Sequence, residues 1–490
     1  MTHTRECRQV SGDELADQAE ALLSDGYRLG LVAAHDDGDR LRVVYLFLAG
    51  RPDRRVELEI TTPAHDPAVP SLAYLSFPMS RFEREMLDLY GIMPVGHPRP
   101  RRLVRHAHWP QAWHPMRRNA GPATQFEPDG RFPFVTVGGP GVYEIPVGPV
   151  HAGLIEPGHF RFSVVGETVL RLKARLWFVH RGVEKLFEGR AAGDAVDLAE
   201  RISGDTSAGH ALAHSLAIED ALGMEVPEPV HRLRAMLVEL ERLYNHATDL
   251  GALANDVGFA LANAHAQRIR EQLLRLNADV TGHRLLRGAI RPGAVTLREL
   301  PDPARLRHVA ADLAEVAELT LRNGGIRDRF TGTAVLSPDD ARALGCLGYV
   351  ARGSGVCTDA RLDHPTVALP VTSAAGGDGD VLARYTIRRD EFAASTELAV
   401  HLAETHTGPL QATASIHPRE GTGVGIVEGW RGTIVHRVEV DGEGRITRAK
   451  IVDPSWFNWP ALPVAMSDTI VPDFPLANKS FNLSYAGNDL

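Results

Sequence analysis

The chain has 490 residues, 44% apolar and 23% charged, with 53 basic against 62 acidic side chains and a net charge of −9. This is the composition of a globular protein with room for roughly two or three domains, and the acidic balance argues against nucleic acid as a partner. Apolar runs such as VVYLFLAG (43–50) fall short of the ~18–20 residues that span a bilayer, and the polar start MTHTRECRQ lacks the apolar core of a secretory leader.

Read in chain order, GDELADQAEALLSDG (12–26) has helical apolar spacing, while RLRVVYLFLAG (40–50) and RRVELEITT (54–62) alternate as strands do. FEREMLDLYGI (82–92) is an amphipathic helix closed by Gly91. These elements make residues 1–118 a small α/β domain. Residues 119–142, rich in Gly and Pro, are a linker. From 143 onward HFRFSVVGETVLRLKARLWFVHRG (159–182) is a β-hairpin turning at VGET, and 183–325 is mostly helical. VHRLRAMLVELERLYNHATDLGALANDVG (230–258) keeps apolar residues three and four apart over many turns. The last third returns to strands, with a hairpin at Gly442–Gly444 inside 429–452. The fold class expected is α+β: an α/β domain, then a mainly helical domain, 143–490, with β-sheet regions.

Four groups of residues suggest chemistry. GTGVGIVEG (421–429) imitates a dinucleotide fingerprint, but the genuine motif follows a strand and opens a helix, so it reads as a glycine-rich turn. His210 and His214 share a helix face at metal-ligand spacing, with no third ligand evident. GPVHAGLIEPGHFRF (148–162) puts His151, Glu156 and His159 in one loop, where titratable groups can move protons near neutral pH. RDEFAAS (389–395) and EGWRG (428–432) hold Arg–Glu sets suited to buried ion pairs. The three cysteines, Cys7, Cys346 and Cys357, form no CxxC and fall short of the about four thiolates a cubane cluster needs. They read as buried or incidental thiols.

Longer motifs carry a resemblance. FEREMLDLYGIMPVGHPRPRRLV with WPQAWHPMRR resembles the 30-kilodalton-type subunit of respiratory complex I. GPVHAGLIEPGHFRF, HRGVEKLFEGR (180–190), ELERLYNHATDLG (239–251), ARGSGVCTDARLDHP (351–365) and NKSFNLSYAGNDL (478–490) resemble the 49-kilodalton-type subunit and the large subunit of membrane-bound [NiFe] hydrogenases. Fusion of both parts is the arrangement of formate hydrogenlyase-type large subunits. In such hydrogenases a CxxC pair follows an Arg on a helix like RISGDTSAGHALAHS (201–215), and a second follows Asp-Pro near the C-terminus, as in DPSWFNWP (453–460). Here those positions fall on Ser203, Thr206, Ser455 and Asn458. Nickel and low-spin iron require soft anionic sulfur, whereas hydroxyls and a carboxamide are hard and neutral. The resemblance therefore implies a hydrogenase scaffold whose metal centre is lost. The quinone-binding tyrosine of complex I falls on Gly204, and its loop histidine on His151; His159 matches only across a longer, hydrogenase-like loop.

The resemblance implies a large peripheral subunit of a membrane-anchored oxidoreductase, on the cytoplasmic face of the membrane and held there through partners. Those partners are an iron–sulfur subunit of the complex I small-subunit type beside 148–215, a ferredoxin-like subunit, and channel-forming and antiporter-like membrane subunits. The [4Fe–4S] clusters lie in the partners, and this chain holds no cofactor of its own. A cavity of Glu156, His159, Arg201, Ser203, Thr206, Arg352, Ser455 and Asn458 receives an acceptor such as a quinone, with His151 as proton donor and Arg201 and Arg352 balancing negative charge. The alternative is a non-catalytic scaffold that couples the peripheral arm to ion-translocating subunits.

Overall fold

The computed structural model describes residues 4–123, 125–126, 130, 132–153 and 155–490. The first lobe is a four-stranded sheet in the order Thr4–Gln9, Arg54–Pro63, Arg40–Ala49, Arg28–Asp36, parallel at its first pair and antiparallel elsewhere. The helix Gly12–Ser24 starts in a capping box, with the Ser11 hydroxyl accepting from Glu14 N and Glu14 answering at Ser11 N. The helix Phe77–Tyr90 stops where Gly91 takes φ 74°, a left-handed conformation that favours glycine.

The second lobe opens with a three-stranded antiparallel sheet, Val142–Val147, His159–Val165 and Thr168–Arg175. A helical bundle follows, built on Glu228–Asp256 and Ala260–Thr281, with Pro303–Arg322 and Val381–Glu404 packed around them. A second antiparallel sheet, Gly421–Gly429, Gly432–Val440 and Ile446–Val452, carries the helix Ser207–Leu222 on its face. Buried ion pairs fasten the lobes together: Arg437 to Glu57 at 3.0 Å and Lys450 to Glu85 at 2.8 Å.

Two expectations need correction. The glycine-rich segment 421–429 is a strand, at the edge of its sheet, and not a turn. A Cβ on Gly421, Gly423 or Gly425 would overlap the carbonyl oxygens of Ala221, Ala217 and Ala213 on the helix Ser207–Leu222. The glycines thus exist to let a helix backbone lie against a strand backbone, a packing requirement rather than a phosphate cradle. Gly425→Ala should lower stability by about 1–3 kcal/mol, the usual penalty for overpacking. A urea midpoint equal to wild type would refute that account of the glycines. The second correction is Val381–Glu404, a helix inside the region expected to be strands. Its buried face itself carries Arg384, Arg388, Glu391, Ser395 and Thr396, so polar residues fall on both faces and no apolar period can be read.

Candidate functional site

The turn Ser203–Thr206 enters the helix Ser207–Leu222 and is held from below by the long helix Glu228–Asp256. Glu241 accepts from the free N–H groups of Ala208 (2.6 Å) and Gly209 (2.9 Å) at the helix start. Burial pushes its carboxyl up to about 8, while those two amide bonds pull it back down. Asn245 Nδ2 donates to Asp205 O at 2.8 Å, so the turn is pinned on both sides.

Asp205 is the polar centre of the site. Arg431 donates to its two carboxylate oxygens in a fork, both at 2.7 Å. Burial works to raise the Asp205 carboxyl, but the charge and hydrogen bonds of Arg431, with those of Ser203 and Thr206, leave it below the ordinary carboxylate value. Its side chain keeps 38% exposure, so it faces open space while Arg431 is buried behind it. The guanidinium lies 3.9 Å over the Trp430 ring, and its Nε donates to Asn482 O at 2.7 Å. Only a rigid, planar, five-donor group could meet both demands.

Ser203 Oγ donates to Asp205 and lies 2.9 Å from Ser484 Oγ. Ser455 Oγ accepts from Ser484 N, also at 2.9 Å. Thr206 Oγ1 donates to Asp205 at 3.0 Å and accepts from Trp430 Nε1 at 3.2 Å. Asn458 turns away to clasp the Leu347 peptide, accepting from its N–H at 2.8 Å and donating to its carbonyl at 3.1 Å. Above the Asp205–Arg431 pair opens a cleft of about 330 Å³, walled by Glu156, Ser203, Gly204, Lys479 and Tyr485.

His151 stands one side chain back from this cleft. Its Nε2 is 3.4 Å from the Tyr485 hydroxyl, and its ring packs edge-on against Phe160. Partial burial lowers its pKa below the usual imidazole value. Burial raises the Tyr485 hydroxyl's pKa, so that group keeps its proton. Glu156 reaches the same rim, accepting from Ala486 N at 3.0 Å.

Of the eight expected lining residues only Glu156 and Ser203 wall this cleft; Thr206, Ser455 and Asn458 are buried beside it, and the other three lie elsewhere. Arg201 is exposed and folds back on its own turn to donate to Asp197 O. His159 bonds Gly148 O at 3.2 Å, bracing the loop rather than the cleft. Arg352 is wholly buried in a separate ionic cluster, paired with Glu391 at 2.7 Å and Glu428 at 2.9 Å. His246 donates to Glu391 at 2.9 Å if its Nε2 carries the proton, and Arg361 joins Glu239 to Asp359 beside it. His210 and His214 are both buried; His210 bridges His436 (3.0 Å) and Asp453 (3.1 Å) instead of pairing with His214 on a metal. Among the described residues, no three His, Cys, Asp or Glu converge where a metal ion could sit.

Sequence reading named Ser203, Thr206 and Glu156 but passed over Asp205, Arg431, Lys479 and Tyr485. Asp205 stood in view between the two substituted positions. Its partner lay 226 residues away, inside a segment read as one of the ion-pair sets.

A nickel–iron centre does not fit this donor set. The four positions supply three neutral hydroxyls and one carboxamide, and each is already committed to a hydrogen bond within the protein. Fold and cleft together define a class, the large subunits of the complex I and hydrogenase type, here with three hydroxyls and a carboxamide at the four positions that the resemblance matches to metal ligands. Residues 9–125 match the family of the respiratory-chain NADH dehydrogenase 30 Kd subunit, residues 256–416 that of its 49 Kd subunit, and residues 181–254 that of nickel-dependent hydrogenase. The chain is 32% identical to hydrogenase-4 component G of Escherichia coli (strain K12), covering 83% of this chain and 73% of that one. It is 30% identical to formate hydrogenlyase subunit 5 of the same organism, over 89% of this chain and 78% of the relative. The structure of the membrane-bound sulfane sulfur reductase, an archaeal respiratory membrane complex, shares the fold at TM-score 0.65 and 24% identity, over 71% of this chain and 98% of its own. The chain belongs to the family of fused 30-/49-kilodalton complex I-type subunits that includes these hydrogenase and formate hydrogenlyase components. No helix among its described residues is long and apolar enough to cross a membrane.

Proposed function

We propose that this subunit passes electrons from an iron–sulfur partner to a small oxygen-bearing acceptor, such as a quinone head group, held over the Asp205–Arg431 pair. The observation that carries the reading is the cleft itself. It opens beside Ser203, one of the four positions matched to metal ligands, and it presents the cations Arg431 and Lys479, the carboxylates Asp205 and Glu156, and Tyr485 with His151 behind it. Reducing a carbonyl acceptor takes two electrons and two protons. Arg431 balances the negative charge that develops on the acceptor oxygen. Tyr485 donates the two protons in turn, reprotonated after each by His151, which takes its own protons from solvent. Gly204 leaves open space where a side chain would otherwise narrow the entrance. The partners are those the family implies: an iron–sulfur subunit of the complex I small-subunit type and a ferredoxin-like subunit carrying [4Fe–4S] clusters, with channel-forming and antiporter-like subunits in the membrane, this chain lying on their cytoplasmic side.

A scaffold reading is favoured by one observation, the engagement of all four former ligand positions in internal hydrogen bonds. It predicts a complex with no acceptor activity dependent on the cleft. Purification of the intact complex, with elemental analysis and a screen of acceptors, separates the readings. Nickel should fall below about 0.1 per chain and hydrogen evolution should be absent, because three hydroxyls and a carboxamide stand at the positions where the metal needs thiolates, and at least one quinone-type acceptor should be reduced. One nickel per chain would overturn the reading, and a complex inert toward every acceptor would leave the scaffold.

A further inference from the structure

A second cleft, of about 230 Å³, lies at the junction of the two lobes, away from the Asp205–Arg431 site. The helix Phe77–Tyr90 gives it Arg81 and Arg84, the segment beyond gives Arg99 and Arg101, and the strand Thr168–Arg175 gives Arg171, Lys173 and Arg175. No carboxylate among the described residues lines it. In a chain of net charge −9, seven cations around one cavity, with no acid among its described lining residues, is a strong local inversion of sign.

Ordinary ion pairing does not account for this cluster. Of the seven, only Lys173 has a carboxylate partner among the described residues, Glu144. Of the acids that act on these cations, Asp88 is committed to Arg105 at 2.9 Å and Glu85 to Lys450 at 2.8 Å, while Asp489 accepts from Val179 N at 3.2 Å and Asn488 Nδ2 at 2.9 Å. Arg175 is 3% exposed, donates only to the carbonyls of residues 103–105, and leaves its Nε without a partner. Arg101 Nε is likewise buried and unpartnered. Arg81 is 6% exposed and stacks on Trp456 at 4.5 Å, with a carbonyl and a carboxamide as its hydrogen-bond acceptors. Burial lowers Arg81 to about 9 and Arg175 to about 10; burial and then the Arg101 charge lower Arg84 to about 10. Buried cations without counter-charge are unfavourable unless something anionic completes them.

We infer that this cleft is a binding site for a phosphate-class oxyanion, free or carried on a small organic molecule. Guanidinium groups match the planar, multidentate demand of phosphate oxygens, and the cations come from two lobes, so a bound dianion would also fasten their junction.

The full-length chain should be titrated with inorganic phosphate and with AMP at low ionic strength by calorimetry, against Arg171→Glu and the remote control Arg275→Ala. Arg171 and Arg275 are both exposed and outside the Asp205–Arg431 cleft, so neither change should impair folding. Saturable phosphate binding is expected, weakened at least about tenfold by Arg171→Glu and unchanged by Arg275→Ala. Equal affinity for both probes would assign the site to the phosphoryl group alone. AMP binding at least about tenfold tighter would assign it to a nucleoside phosphate. Absence of saturable binding, or binding indifferent to Arg171→Glu, would overturn the inference. So would loss of a partner subunit from Arg171→Glu complexes with no phosphate binding in either form, since the cleft would then be a protein-docking face.

Discussion

Arg352→Met should destabilise the chain by about 3–5 kcal/mol, the penalty for stranding buried charge by removing one partner. Arg352 donates to Glu391 and Glu428 and to the Thr358 carbonyl, and all three charged residues are at most 2% exposed. Burial works to raise the Glu391 carboxyl, but Arg352, His246 and Arg242 outweigh it and hold it well below the carboxylate range. Glu428 is raised, first by burial and then by the Asp359 charge. Without Arg352 both carboxylates lose their main counter-charge in a site that water does not reach. The lowered pKa of Glu391 sets the pH dependence. Its pairing is fully stabilising above the unfolded value of about 4.3 and is lost as pH falls toward the lower folded value, so Arg352→Met should flatten the acid limb of stability against pH. Urea midpoints across pH would show this. A loss under about 1 kcal/mol, the range of exposed pairs such as Arg275–Glu271, would contradict the account.

The second large effect is on activity. Arg431→Met should lower acceptor reduction by about 100-fold per assembled complex, the order seen when one donor to a developing oxyanion is removed. The fold should survive, because the Asp205 left behind is 38% exposed and can be solvated. Arg431→Lys keeps a cation but loses the fork to Asp205, so it should recover charge balance without geometry and regain only part of the rate. Co-purification of partner subunits reports assembly, and kcat against KM distinguishes lost charge stabilisation from lost binding. Full activity in assembled Arg431→Met complexes would remove this pair from the chemistry.

How far the sequence could be read depended on the range of the interactions involved. Periodicity located Gly12–Ser24, Phe77–Tyr90 and Glu228–Asp256 because one helix face is polar. It fails at Val381–Glu404, where the buried face itself carries charged side chains, and at Gly421–Gly429, where glycines answer to a helix about 200 residues earlier in the chain. The site divided in the same way. The positions that the resemblance matches to metal ligands lie in two contiguous motifs, within reach of local reading. The Asp205–Arg431 fork and the Tyr485–His151 contact join residues far apart in sequence, and only the fold brings them together. Arg201 and Arg352 were misplaced for the converse reason: an arginine in a motif reveals its charge but not its direction. Arg352 turned inward to carboxylates that no local pattern connects to it.

The most direct test of a cleft that reduces an acceptor through its own side chains is the pH–rate profile of the assembled complex with His151→Gln beside wild type. Burial sets the His151 pKa below the ordinary value of about 6.5, so the protonated donor accumulates only as pH falls beneath that point. Wild-type acceptor reduction should therefore climb as pH is lowered through the region below about 6.5. Glutamine can hold a hydrogen bond but cannot deliver a proton, so His151→Gln should assemble normally, lose at least about tenfold in rate and show no such climb. Superimposable profiles from the two proteins, at equal rates, would contradict the account and leave the subunit a scaffold.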